Sequence, residues 1–151
     1  MIRPTVESDY DGLIALAIAS GLFEPDQTEL LADRLRSPGK DDIWFTDDDG
    51  QKPVGVAYMA PEKMTHGTWN LYWIAVHPTL QKQGRGKAIL SYVQQWLIDR
   101  GERILLVETA GTDDFEYVRK FYVDNGFENE ARIRDFYDLG VDKIVFRKLL
   151  A

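Results

Sequence analysis

Apolar positions along this 151-residue chain recur with two periods, and the switches between them mark the elements. Ile2 to Pro4 reads as a short opening strand. Ser8 and Asp9 are N-cap types ahead of a helix through about Ser20, with Leu13, Leu16 and Ile18 among its apolar positions and Gly21 as its stop. Pro25-Asp26 opens a second helix through Leu35, closed by Ser37-Pro38-Gly39. Ile43 to Thr46 and Val54 to Met59 flank Asp47-Asp48-Asp49-Gly50 and read as a hairpin with those aspartates in its turn. Trp69 to Val76, rich in aromatic and branched residues, predicts a central strand, and Pro78 ends it. From Gly86 to Asp99, Ile89, Val93, Trp96 and Leu97 follow helical spacing up to Gly101. Ile104 to Glu108 is a strand. A helix capped by Asp113 or Asp114 carries Phe115, Val118, Phe121 and Tyr122 and stops at Asn125-Gly126. Phe127 to Ile133 and Lys143 to Leu149 close the chain as strands. This alternation predicts one α/β (α+β) domain over residues 1–151 with a mixed sheet and no linker or repeat.

Composition narrows the chemistry. With 44% hydrophobic and 12% aromatic residues the chain can bury a core of ordinary size. It has no cysteine, which removes disulfides, thiolate nucleophiles and zinc ribbons, and only two histidines, so no metal is expected. The longest apolar run, Leu13 to Ala19, is far short of the ~20 residues of a membrane span. A net charge of −7 argues against nucleic acid and suits cationic ligands such as amines or basic peptides. The expectation is a soluble, cytoplasmic protein without nucleic-acid or membrane partners.

The charge is unevenly distributed. Lys63 to Ile98 contains no Asp or Glu but carries Lys63, Lys82, Arg85 and Lys87. A buried strand and helix with little surface would read this way, and so would a site for an anion. Within that window lies Val76-His77-Pro78-Thr79-Leu80-Gln81-Lys82-Gln83-Gly84-Arg85-Gly86-Lys87-Ala88, a strand end, a tight loop and two glycines at a helix mouth. Glycines there let backbone N–H groups approach phosphate, backed by the partial positive charge of the helix terminus. Gln81 and Ala88 fail the P-loop pattern, and Ile89 fails the dinucleotide fingerprint.

The pattern that fits is [Q/R]-x-x-G-x-[G/A], as Gln81-x-x-Gly84-x-Gly86, and with it the chain resembles the GNAT N-acetyltransferase superfamily. Downstream, Phe121-Tyr122-Val123-Asp124-Asn125-Gly126-Phe127 is similar to a second family signature, and the element order matches over nearly the whole chain. The resemblance implies a sheet of about seven strands flanked by about four helices, splayed between the two central parallel strands. It implies acetyl-CoA as co-substrate. The pantetheine arm would pair with the backbone of Ile74, Ala75 and Val76, and the pyrophosphate would sit on Gln81, Lys82, Gln83, Gly84, Arg85, Gly86, Lys87 and Ala88. The family's Ser-Asn ahead of the second motif has no counterpart in Glu108-Thr109-Ala110-Gly111-Thr112; Thr112 makes that contact or it is missing.

Without cysteine, an amine would attack the thioester directly. A free alkylamine, with pKa ~10.4 like lysine, must lose a proton, and the leaving thiolate benefits from one. Tyr122 matches the family's general acid, and Glu108 matches the base of the subgroup that acetylates protein N-termini, acting directly or through water. The plainer readings are a core aromatic for Tyr122 and a solvated or structural carboxylate for Glu108. Asp135 and Tyr137 are alternative site residues; His77 reads as structural. Trp69 and Trp73 read as core or cleft wall. Gly21 to Asp26 and the segment Arg132 to Tyr137, with Asp142-Lys143, would shape the acceptor site. Dimers are common in the family, so a homodimer accords with the resemblance. An acyl-CoA-binding module without turnover is the competing reading.

Overall fold

The computed structural model describes residues 1–21 and 23–151. Its elements, in order, are β1 (Ile2–Pro4), α1 (Tyr10–Ser20), α2 (Pro25–Arg36), β2 (Ile43–Asp48), β3 (Pro53–Pro61), β4 (Thr68–Val76), α3 (Arg85–Ile98), β5 (Ile104–Ala110), α4 (Glu116–Asp124), β6 (Glu128–Asp138) and β7 (Val141–Leu149). The seven strands form one sheet in the order β1-β2-β3-β4-β5-β7-β6. β4 and β5 run parallel, while the pairs β1·β2, β2·β3, β5·β7 and β6·β7 are antiparallel. Among the described residues, the mixed sheet expected from the sequence is present, with the seven strands and four helices that the family resemblance implies.

Most boundaries follow the local chemistry. Gly21 ends α1 with φ 65°, a left-handed conformation that costs glycine little. α2 starts with Pro25 at its first position, and the Gln27 side chain accepts the Glu24 N–H at 2.9 Å. Three expectations need correction. Asp47 and Asp48 belong to β2, and the turn lies beyond them, where Asp49 Oδ1 accepts the N–H groups of Gln51 and Lys52 at 2.9 Å. α4 is preceded by a single 3-10 turn, Asp113–Phe115, so the helix proper begins at Glu116. β6 runs past Ile133 to Asp138 because a bulge between these residues, with Asp135 at φ 53°, resets its register against β7.

The chain packs as two compact units. In the unit of Met1–Ala60 and Trp73–Trp96, Trp44 stacks on its cross-strand partner Tyr58, ring centroids 4.2 Å apart, over Leu13, Leu16, Leu35, Val56 and Trp73. The neighbouring residue Phe45 points to the other face and meets Tyr92 and Trp96 of α3 edge-on. Gly55 admits α3 on that face: a Cβ there would lie 2.7 Å from Ile89 Cδ1. In the unit of Pro61–Tyr72 and Leu97–Ala151, β5 alternates. Leu105, Val107 and Thr109 are buried, whereas Leu106 and Glu108 face the opposite side and are partly exposed. The parallel ladder runs from Thr68–Ile104 to Leu71–Val107, and both strands continue beyond it.

Candidate active site

The loop after β4 is built from its own side chains. The His77 N–H donates to the Val54 carbonyl at 2.8 Å, which carries the strand pairing one residue past Val76. The His77 ring nitrogen Nδ1 accepts the Thr79 N–H and so caps the turn Pro78–Leu80, the structural role expected of it. Gln81 reaches back, its side-chain amide donating to the Val76 carbonyl at 3.2 Å, and thereby ties the loop to the strand end. Lys82 and Gly84 adopt left-handed conformations, φ 62° and 83°. At Gly84 a Cβ would find nothing within 4 Å, so the loop is open on that side. Alternating backbone handedness of this kind turns successive N–H groups toward one concave side. The Ala88 N–H donates to the Gly84 carbonyl at 3.0 Å, so the open donors of α3 lie ahead of it, at Arg85, Gly86 and Lys87.

The charges here divide into two kinds. Lys82 and Lys87 are exposed, and no carboxylate pairs with either among the described residues. Arg85 is different: its Nη1 donates at 2.9 Å to Asp47 Oδ2, a carboxylate only 5% exposed. A turn aspartate in the sequence reading is therefore the buried counter-ion of the loop's arginine. The acid-free window in the sequence does not make the helix mouth free of acid, because β2 returns a buried carboxylate to it. Ile74 is half-buried, while Ala75 and Val76 are buried.

A second cluster forms where the parallel ladder ends. Asn70 pairs with Leu106, so its side chain lies on the same face as Glu108, one diagonal step along β5. The Asn70 amide nitrogen donates to Glu108 Oε1 at 2.7 Å and to Glu62 Oε1 at 2.9 Å. On β7, Val145 pairs with Glu108, which brings Lys143 to the same face; its Nζ lies 2.6 Å from Glu108 Oε2 and 3.9 Å from the Phe136 ring centroid. Tyr137 completes the group. Burial and the negative charge of Glu108 push its phenol up to about 12. Asp135, an alternative site carboxylate in the sequence reading, accepts the Gly140 N–H at 2.8 Å and so holds the β6–β7 connection.

Tyr122 lies on the other face of this unit. Val107 pairs with Phe146, opposite in direction to Glu108, and the Tyr122 ring packs against Phe146 and Phe127 at centroid distances of 5.7 and 5.5 Å. It is 3% exposed, and burial alone pushes its phenol up, which keeps it protonated. Glu108 and Tyr122 thus belong to one unit but project from opposite sides of β5·β7. Thr112 contributes its carbonyl to Arg119, as does Ala110. Of the expected acceptor-shaping segment Gly21 to Asp26, Leu22 lies outside the described residues. No group of His, Asp or Glu among the described residues is arranged to hold a metal ion, and no helix there is long and apolar enough to cross a membrane.

Sequence reasoning missed Asp47, Asn70, Glu62 and the pairing role of Lys143. The signal for Asn70 was present: it is the single amide in Trp69-Asn70-Leu71-Tyr72-Trp73, and it is fully buried. Glu62 and Lys143 carried no comparable signal, since their partners depend on register.

Comparison with known proteins bears on the whole arrangement. Residues 39–129 match the family model described as an acetyltransferase (GNAT) domain. No curated protein matches the sequence. Among solved structures, a protein of Desulfovibrio desulfuricans assigned to the GNAT acetyltransferase family superimposes with TM-score 0.93 at 30% identity, covering 100% of this chain and 99% of that one. The ribosomal-protein-S18-alanine N-acetyltransferase of Escherichia coli is similar in fold at TM-score 0.83 and 21% identity, over 100% and 94% of the two chains. An aminoglycoside 6'-N-acetyltransferase complexed with coenzyme A gives 0.80 and 16%, over 100% and 97%. Family model, sequence identity and superposition agree, and the chain belongs to the GNAT acetyltransferase family.

Proposed function

We propose that the protein is an acetyl-CoA-dependent N-acetyltransferase acting on a primary amine. The observation that carries the reading is the loop Gln81 to Lys87, which leaves the first N–H groups of α3 open beside a left-handed Lys82 and Gly84. The donor set suits a pyrophosphate: backbone N–H groups at a helix start, with Lys82 and Lys87 as free cations. Gln81 holds the loop on the strand end, and Arg85 shapes it through Asp47. The backbone of Ile74, Ala75 and Val76 would pair with the pantetheine amides as an added strand does.

Two protons must move in a direct transfer. The amine nitrogen forms a bond to the acetyl carbon as the carbon–sulfur bond breaks, so nitrogen loses a proton and sulfur gains one. In this reading Glu108 accepts the first, directly or through water, and Tyr122, a phenol that its burial keeps protonated until the thiolate develops, supplies the second. A coenzyme-binding module without turnover is the competing reading, favoured by the Lys143 ammonium already paired with Glu108. Thiol release from acetyl-CoA across a panel of amines, set beside calorimetric coenzyme affinity, tests the proposal: turnover supports the enzyme, and tight binding with no turnover supports the module.

A further inference from the structure

The cluster at the end of the parallel ladder contains a residue that no sequence motif marks. Asn70 is 0% exposed, and its side chain lies on the face of Glu108, opposite to those of its neighbours Trp69 and Leu71. Its amide nitrogen has two hydrogens, and both go to carboxylates, Glu108 Oε1 and Glu62 Oε1. Its Oδ1 is buried without a partner among the described residues, a cost that an apolar residue would not carry. Asn70 therefore does not serve packing or polar satisfaction alone.

We propose that Asn70 is a positioning residue for Glu108, with Glu62 as the anchor that sets the amide's rotation. This inference rests on the reading of Glu108 as the base. Glu62 fixes one N–H direction, itself accepting from the Tyr72 hydroxyl at 3.3 Å, and the planar amide then directs its second N–H at Glu108 Oε1. Lys143 holds the other oxygen. A carboxylate fixed at both oxygens keeps one orientation, with its remaining lone pairs directed to one place. Orientation of this kind acts on turnover, because a base held off its line loses effective concentration while the rest of the site still binds.

The test is a double-mutant cycle with Asn70→Leu, Glu108→Gln and the pair combined, measuring thiol release from acetyl-CoA. Three probe amines are used: benzylamine, 1,4-diaminobutane and a peptide with a free alanyl N-terminus. Removing the base is expected to lower kcat by about 10²-fold. Asn70→Leu should lower kcat by roughly 10-fold with the amine KM little changed, and the double variant should be no slower than Glu108→Gln alone. Coenzyme affinity measured by calorimetry checks that each variant is folded, and Asn70→Ser serves if the leucine variant is not. Wild-type kcat in the Asn70 variants, or losses that multiply with Glu108→Gln, overturns the positioning role and leaves the base intact. An unaffected Glu108→Gln enzyme removes the base and the inference with it. No turnover of any probe by the wild type removes the enzyme reading itself, and the positioning role with it.

Discussion

Removing Arg85 separates two roles that a loop arginine can have. Arg85 opens α3 and donates to Asp47 Oδ2 at 2.9 Å, while the carboxylate is 5% and the arginine side chain 31% exposed. In Arg85→Ala the buried charge of Asp47 loses its main partner. Stripping one member from a buried pair costs roughly 3–5 kcal/mol. Partial exposure of the guanidinium and the Met1 amino group, 3.2 Å from the other oxygen, put this case at the low end. The expected loss is about 3 kcal/mol, or roughly 6–12 °C in Tm for a chain of this length. Asp47→Ala combined with Arg85→Ala leaves no orphaned charge and should recover about 2 kcal/mol of that loss. Urea unfolding followed by tryptophan fluorescence gives the midpoints, and an unchanged slope licenses the comparison. Because the guanidinium is engaged with Asp47, coenzyme affinity should change less than tenfold. A single variant as stable as the wild type, or a double variant as unstable as the sum of the two singles, refutes the structural role. A large loss of coenzyme affinity at unchanged stability would make Arg85 an anion ligand instead.

Gly86→Asp puts a carboxylate among the open N–H groups at the start of α3 and should lower coenzyme affinity by at least tenfold in calorimetry, with the fold retained. Tyr122→Phe keeps the ring packing against Phe127 and Phe146, so it should hold stability and lose about 10²-fold in kcat; near-wild-type kcat with chemistry limiting returns Tyr122 to the core. Hydrogen bonds from Arg3 at 2.7 and 2.9 Å hold the Asp9 carboxyl below its usual value of 3.8. A lowered folded-state value gives stability that is fully present above the unfolded one, and it is lost as pH falls from there through the folded value. Tm of Asp9→Asn should therefore lie below wild type at pH 7, with the gap closing below about pH 4, and a gap independent of pH contradicts the assignment.

The loop was legible because its chemistry is local. Two glycines, a strand end and a helix start within a few residues fix where N–H groups point, whatever the rest of the sheet does. Arg85 was only half legible, because its partner sits on β2 and looked like a turn residue. Three aspartates and a glycine in a row satisfy turn chemistry, yet β2 extends through Asp48 before the chain turns. The cluster at Glu108 was not legible as a cluster. Its contacts are diagonal pairs set by two registers, Asn70 with Leu106 and Glu108 with Val145, and alternation alone does not determine register. The bulge in β6, which brings Phe136 beside Lys143, follows from a left-handed Asp135 that the local sequence does not demand.

Register also explains how two residues on opposite sides of a sheet can be considered for one reaction. Within β5, Val107 faces Phe146 and the Tyr122 ring, and Glu108, the next residue, faces Asn70 and Lys143. In a continuous sheet such a pair would be separated by a closed layer of backbone, and no single atom could meet both. The parallel ladder, however, ends at Leu71–Val107, so Glu108 is the first residue of β5 past it. Its backbone remains bonded to β7 on one side and is released from the ladder on the other. In the proposed reaction a proton taken up by Glu108 and one supplied by Tyr122 would therefore pass at opposite faces of β5, beyond the end of the paired ladder. Such an arrangement would suit the proposed direct transfer, because the attacking nitrogen and the leaving sulfur are different substituents of one carbon and each needs its own proton partner.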